Sequence, residues 1–192
     1  MTLVPLSGPA IEPISLTDAK IHLRVDNDAE DTLIQSLITA ARVHIEVSLS
    51  IAMIRQNWLW LLDAWPARRA LPLPLRPVSA ITSVRVIDAG GTAQTLPADA
   101  YLLDGRGNPA RLVASKTGAW PKPGQVAYGI EISLEAGYGA ATGDVPQPLR
   151  QALLLLVAHW FEQREPVEAG QEAVSLPDTV AALLAPYRQV RL

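Results

Sequence analysis

The feature that most constrains this chain is a double change of hydrophobic period. Apolar residues recur at helical spacing near the N-terminus, in short alternating runs through the middle, and at helical spacing again near the C-terminus. A pattern with one period cannot bury its apolar side in the geometry of the other. The order predicts an α+β fold, with a helical bundle frame from both chain ends and a small antiparallel β-domain inserted between them. The expected divisions are 1–51 for the N-terminal helices of the frame, 52–140 for the β-domain, and 141–192 for the C-terminal helices with a docking tail.

Local signals place the elements. Ser15-Leu16-Thr17-Asp18 has the form of a capping box and predicts a short helix through about Arg24. Asp26-Asn27-Asp28-Ala29-Glu30-Asp31 puts turn formers and acids before a longer helix ending near Leu49, with Leu33, Leu37 and Ala41 at i, i+4 and i+8. Proline and glycine then punctuate β-prone runs, including Trp58 to Leu62, Val84 to Val86 and Tyr101 to Leu103. The clearest strand is Ile130-Glu131-Ile132-Ser133-Leu134-Glu135, which alternates apolar and polar and should bury one face only. Pro146 and Pro148 open a helix over Leu149 to Arg164 that is apolar nearly all round, so part of its burial is expected from a neighbouring subunit. An acidic loop over Val167 to Val174 follows. Ser175-Leu176-Pro177-Asp178 is a second capping box, opening a last helix through Leu184 that Pro186 ends or kinks.

Composition narrows the chemistry. With no cysteine, the chain has no disulfide, thiol nucleophile or thiolate metal ligand. Hydrophobic residues make up 49% and charged residues 18%, enough apolar material for a packed core. The first residues lack a basic region followed by a long apolar one, and Ala152 to Ala158 falls far short of the roughly 18 residues a membrane span needs, so a soluble protein made in the cytoplasm is expected. Net charge is −3, which argues against tight nucleic-acid binding overall. Between Ile51 and Ala140, 9 Lys/Arg against 6 Asp/Glu give +3, and the remainder, with 7 against 13, gives −6.

No enzyme signature is present. There is no phosphate loop, no H-E-x-x-H and no G-x-S-x-G. Gly137 to Gly143 comes one residue too long for a dinucleotide fingerprint. A calcium loop starting at Asp26 would place Asp31 and Leu37 where glycine and glutamate are needed, so helix capping is the better reading of these acids. His22, His44 and His159 lie far apart on separate helical segments, and no cofactor or metal is expected. Trp58 and Trp60 share one face of a strand and suit a core wall. Trp120, between turn residues, is the better candidate for a contact surface.

Several passages fall in a fixed order from about Pro13 to Arg188. They begin with Ile14-Ser15-Leu16-Thr17-Asp18-Ala19-Lys20-Ile21-His22-Leu23-Arg24-Val25, then Glu30-Asp31 and the helix with Ile38-Thr39-Ala40-Ala41. Gln56-Asn57-Trp58, Leu73-Pro74-Leu75-Arg76-Pro77-Val78 and Trp120-Pro121 follow. Ala136-Gly137-Tyr138-Gly139, Val145-Pro146-Gln147-Pro148-Leu149-Arg150-Gln151-Ala152 and Arg164-Glu165 close the set. In that order they resemble the head–tail connector family of long-tailed double-stranded DNA phages, particularly the version in bacterial gene transfer agents.

The resemblance implies a structural subunit and no active site. Members form a ring, typically dodecameric and in several cases monomeric until assembly, below the portal protein. The ring extends the channel for double-stranded DNA without sequence-specific binding and meets the next neck or tail component, a stopper or tail terminator. On that basis Tyr187, Arg188 and Arg191 are candidates for portal docking. Leu153, Leu156, Trp160 and Arg164 are candidates for the subunit interface. Arg106, Arg111, Lys116, Trp120 and Lys122 are candidates for a channel- or tail-facing surface. Two other readings stay open. One is a carbohydrate- or ligand-binding β-module with helical flanks, resting on Trp120. The other is an enzyme whose site is assembled from scattered residues.

Overall fold

A computed structural model describes residues 1–115, 120–163 and 177–189. The fold is mixed α+β, with helices drawn from both sides of an antiparallel β region. Two compact units divide the chain, one from Met1–Ala10 and Ser50–Tyr138, the other from Ile11–Leu49 and Gly139–Leu192.

The first unit holds the strands. Its larger sheet has five: β1 (Thr2–Pro5), β2 (Gln56–Leu62), β4 (Val78–Ile87), β5 (Ala93–Thr95) and β8 (Ile130–Ala136), in the spatial order β1-β2-β8-β4-β5. A smaller sheet has the order β3-β7-β6, from β3 (Ala70–Pro72), β6 (Tyr101–Asp104) and β7 (Arg111–Ala114). Every named pair is antiparallel. β8 is central, and its alternation is used as expected: Ile130, Ile132, Leu134 and Ala136 are fully buried. Burial of a side chain of that size is worth roughly 1.5–3 kcal/mol relative to exposure. The other face is laced by polar pairs, Arg85 with Glu131 at 3.0 Å and Ser79 Oγ donating to Glu135 at 2.7 Å. Leu71 and Leu112 from the small sheet join Trp60, Val84 and Ile132 from the large one in a single apolar cluster.

Four strands lack a sequence signal. β1, β3, β5 and β7 are three or four residues long and show no extended alternation. β1 and β3 find their partners far off in sequence, Leu3 opposing Trp60 and Leu71 opposing Leu112, while β5 and β7 close short hairpins with β4 and β6.

The second unit holds α1 (Leu16–Leu23), α2 (Asp31–Leu49), α3 (Gln147–Glu162) and α4 (Asp178–Leu184). α3 packs on α1, α2 and α4, and α1 also packs on α2. The expected first capping box is present: Ser15 Oγ accepts from the Asp18 amide at 3.0 Å, and the Asp18 carboxylate accepts from the Ser15 amide. α1 ends at Arg24, whose φ of 57° turns the chain out of the helix. At the start of α4 the cap residue is Pro177, with no side-chain capping bond; the expected second capping box turns on Ser175, which with Leu176 lies outside the described residues. The expected loop over Val167 to Val174 lies outside them as well. A short 3-10 turn, Ala185–Tyr187, follows α4 where Pro186 forbids continuation.

Candidate functional site

The sequence motifs resolve into scaffold. In the opening passage, Ala19 is fully buried between helices and Lys20 spans to Asp28 at 2.6 Å and Asp31 at 2.7 Å, tying α1 to the start of α2. The Asp28 carboxyl is held below its ordinary range by its hydrogen bond from Lys20, and the Lys20 ammonium is raised by the same bond and that to Asp31. These acids therefore neutralise a lysine, as well as sitting at the positive end of α2. Gly137, in the Ala136-Gly137-Tyr138-Gly139 passage, has a φ of +138°, and a Cβ there would meet the Arg55 Cα at 2.5 Å. No side chain fits, so the glycine closes β8 against the segment leading into β2. In the later passage Val145, Leu149 and Ala152 are all in the core, and Pro148 sits in the first turn of α3.

The basic candidates sit on the β unit. Arg106 and Arg111 belong to the β6–β7 hairpin, and both are exposed. Arg111 is engaged: its guanidinium donates to Asp104 through Nε at 3.2 Å and through Nη2. That bond, with one from the Arg106 amide, holds the Asp104 carboxyl below its ordinary range. Lys122 is exposed in the loop before β8, and Lys116 lies outside the described residues. The structure thus leaves Arg106 and Lys122 as the exposed cations of this set, with Arg111 partly neutralised.

Trp120 has a structural role that the sequence does not show. Its ring stacks on Trp65 at 4.1 Å with 9° between planes. The Trp120 indole N–H donates to the Arg69 carbonyl at 3.2 Å, and that of Trp65 to the Pro121 carbonyl at 2.8 Å. Each indole gives one face to the other, and both pack on the apolar cluster. This clasp accounts for Trp120 without a sugar platform.

In the helical unit, Leu153 and Leu156 are shut off from solvent within the chain, so neither offers surface to a neighbour. Of the four interface candidates Trp160 keeps exposed area, and Arg164 lies outside the described residues. Trp160 meets His44 of α2 edge to face, centroids 5.8 Å apart at 83°. Behind α2 lies a charged cluster that sequence reasoning missed. Arg42 is buried, donating to Glu12 at 2.7 Å and to Glu46 at 2.8 Å. Burial disfavours the guanidinium charge, but the bond to Glu12 and the charges of Glu46 and Glu12 outweigh it and raise its pKa. Arg42 and Glu46 stand four apart, a spacing that in sequence reads as a solvent-side pair. A signal was present in the positions between them and around them, which carry no compensating outward charge.

At the C-terminal end, Tyr187 is half-buried and Arg188 is exposed, while Arg191 lies outside the described residues. Among the described residues no three His, Asp or Glu side chains gather where a metal ion could sit, and no helix is long and apolar enough to cross a membrane.

Comparisons with known proteins found one matching family model and several similar solved chains. Residues 13–87 match the family model of the phage gp6-like head-tail connector protein. Three solved chains share the fold over 100% of this chain and 97% of their own. One comes from the virion of a native gene transfer agent particle (TM-score 0.85, 27% identity). Another comes from the neck of an empty particle of that kind computed with C6 symmetry (0.85, 27%). The third comes from the neck of a native particle computed with C12 symmetry (0.83, 28%). No curated protein matches significantly.

Proposed function

We propose that this chain is a member of the head–tail connector family, a structural, non-catalytic subunit of the neck of a gene-transfer-agent-like or phage-like particle, where it joins the DNA-filled head to the tail. The observation that carries this is the end-to-end fold match, TM-score 0.85 over the whole chain, to a component of such a particle at 27% identity. The absence of a catalytic signature in the sequence and the scaffold role of its motifs fit that reading.

In this role the chain forms a ring below the portal protein and extends the DNA channel towards a stopper or tail terminator. Tyr187, Arg188 and Arg191 dock on the portal; the exposed Arg188 supports this assignment. Arg106 and Lys122 face the channel or the tail partner, and their small number suits a conduit through which DNA must slide.

Deleting the gene in the producing cell and imaging the lysate by electron microscopy tests the proposal. Filled heads beside unattached tails are expected. Normal tailed particles would overturn it.

A further inference from the structure

We infer that the outward face of α2, together with Trp160 of α3, is the surface on which an adjacent copy of this chain packs in the ring; the inference rests on the reading of the chain as a neck connector. A helix on a protein surface normally turns its charges to water and its apolar stripe inward. In α2 the arrangement is reversed in part. Beyond its first residue its acidic and basic side chains are Arg42 and Glu46, and they point inward, 7% and 8% exposed. Outward lie Ser36, Thr39, Val43, His44 and Val47, and the ten residues lining this face include no Asp, Glu, Lys or Arg. Val47 is 75% exposed and Val43 45%. With Trp160 they frame an open groove of about 940 Å³.

A contiguous apolar surface rimmed by polar groups marks a place that another protein covers. The groove lacks cations, so a nucleic acid or an acidic partner finds nothing to bind there. A second copy fits for two reasons. A neck computed with C12 symmetry contains a chain whose fold matches this one throughout, and rotation of one subunit into the next needs two different patches on each copy. The helical unit also exposes an apolar side chain on another helix, Ile21 of α1 at 72%, which a neighbour's groove can take.

The test places a benzophenone side chain at position 47 of the full chain in producing cells, irradiates purified particles and weighs the adducts. Adducts at multiples of the chain's own mass are expected. Adducts with a different particle protein, or none in particles that carry tails, overturn the inference and leave the connector reading standing. Absence of the chain from purified particles overturns both. A second variant, Val47→Lys, is expected to keep the parent's melting temperature and to lower the yield of tailed particles about tenfold or more, the scale of one lost interface anchor. Parental yields from a normally folded Val47→Lys chain would also overturn it.

Discussion

At the level of single residues, two positions show how tightly the scaffold is specified. Gly137 holds a left-handed backbone with the Arg55 backbone where a side chain would stand. Gly137→Ala should cost about 2–4 kcal/mol, combining strained φ with forced displacement of a neighbouring strand. Urea denaturation measures this directly, and a loss under about 1 kcal/mol would contradict the packing argument. Arg42 is the second case. Removing one member of a buried charge pair takes away the counter-charge that faces the other, so Arg42→Leu should destabilise by about 3–5 kcal/mol. Adding Glu46→Leu should recover about half of that loss, because the carboxylate that faced the guanidinium is then gone. A double variant no more stable than the single one would show that Glu46 was not the source of that loss.

At the level of elements, what the sequence reveals depends on how local the cause is. The cap of α1 is legible because Ser15 and Asp18 satisfy each other three residues apart. β8 is legible because seven residues alternate without a break. β1 is not, since Thr2 to Pro5 becomes a strand only by pairing with Trp58 to Leu61, more than fifty residues on. For the same reason the direction of an apolar helix face is hidden: the composition of α3 cannot tell that Leu153 faces the core while Trp160 stays half out. The inward turn of Arg42 depends on Glu12, thirty residues earlier in the chain.

The Lys20 tie between α1 and α2 makes a prediction about pH. The Asp28 pKa is lowered in the fold, so the tie contributes stability above the unfolded carboxyl value of about 3.9 and loses it as pH falls through the lower folded value. The raised Lys20 contributes below about 10.4 and loses its share as pH rises through the higher folded value. Asp28→Asn should therefore lower the melting temperature near neutrality and flatten its acid decline. Equal acid limbs in parent and variant would exclude a role for this pair.

For the whole molecule, attachment should be separable from folding. Arg188 is exposed, so charge reversal there, Arg188→Glu with Arg191→Glu, should leave the melting temperature within about 1 °C while reducing the fraction of heads that carry tails. Unchanged attachment, scored by electron microscopy, would count against portal docking through this segment.

The central place of β8 has a consequence for synthesis. β1 with β2, and β4 with β5, can each pair as soon as they leave the ribosome, but β8 begins 130 − 87 = 43 residues after β4 ends. At usual elongation rates of about 5–20 residues per second, the open edge of β4 waits roughly 2–9 s, and that of β2 longer still. Those edges, on β2 and β4, are the ones most ready to pair with another nascent chain. A truncation before Ile130 therefore leaves two adhesive fragments in place of a smaller stable sheet, and the strand made last is the one that renders the other four safe.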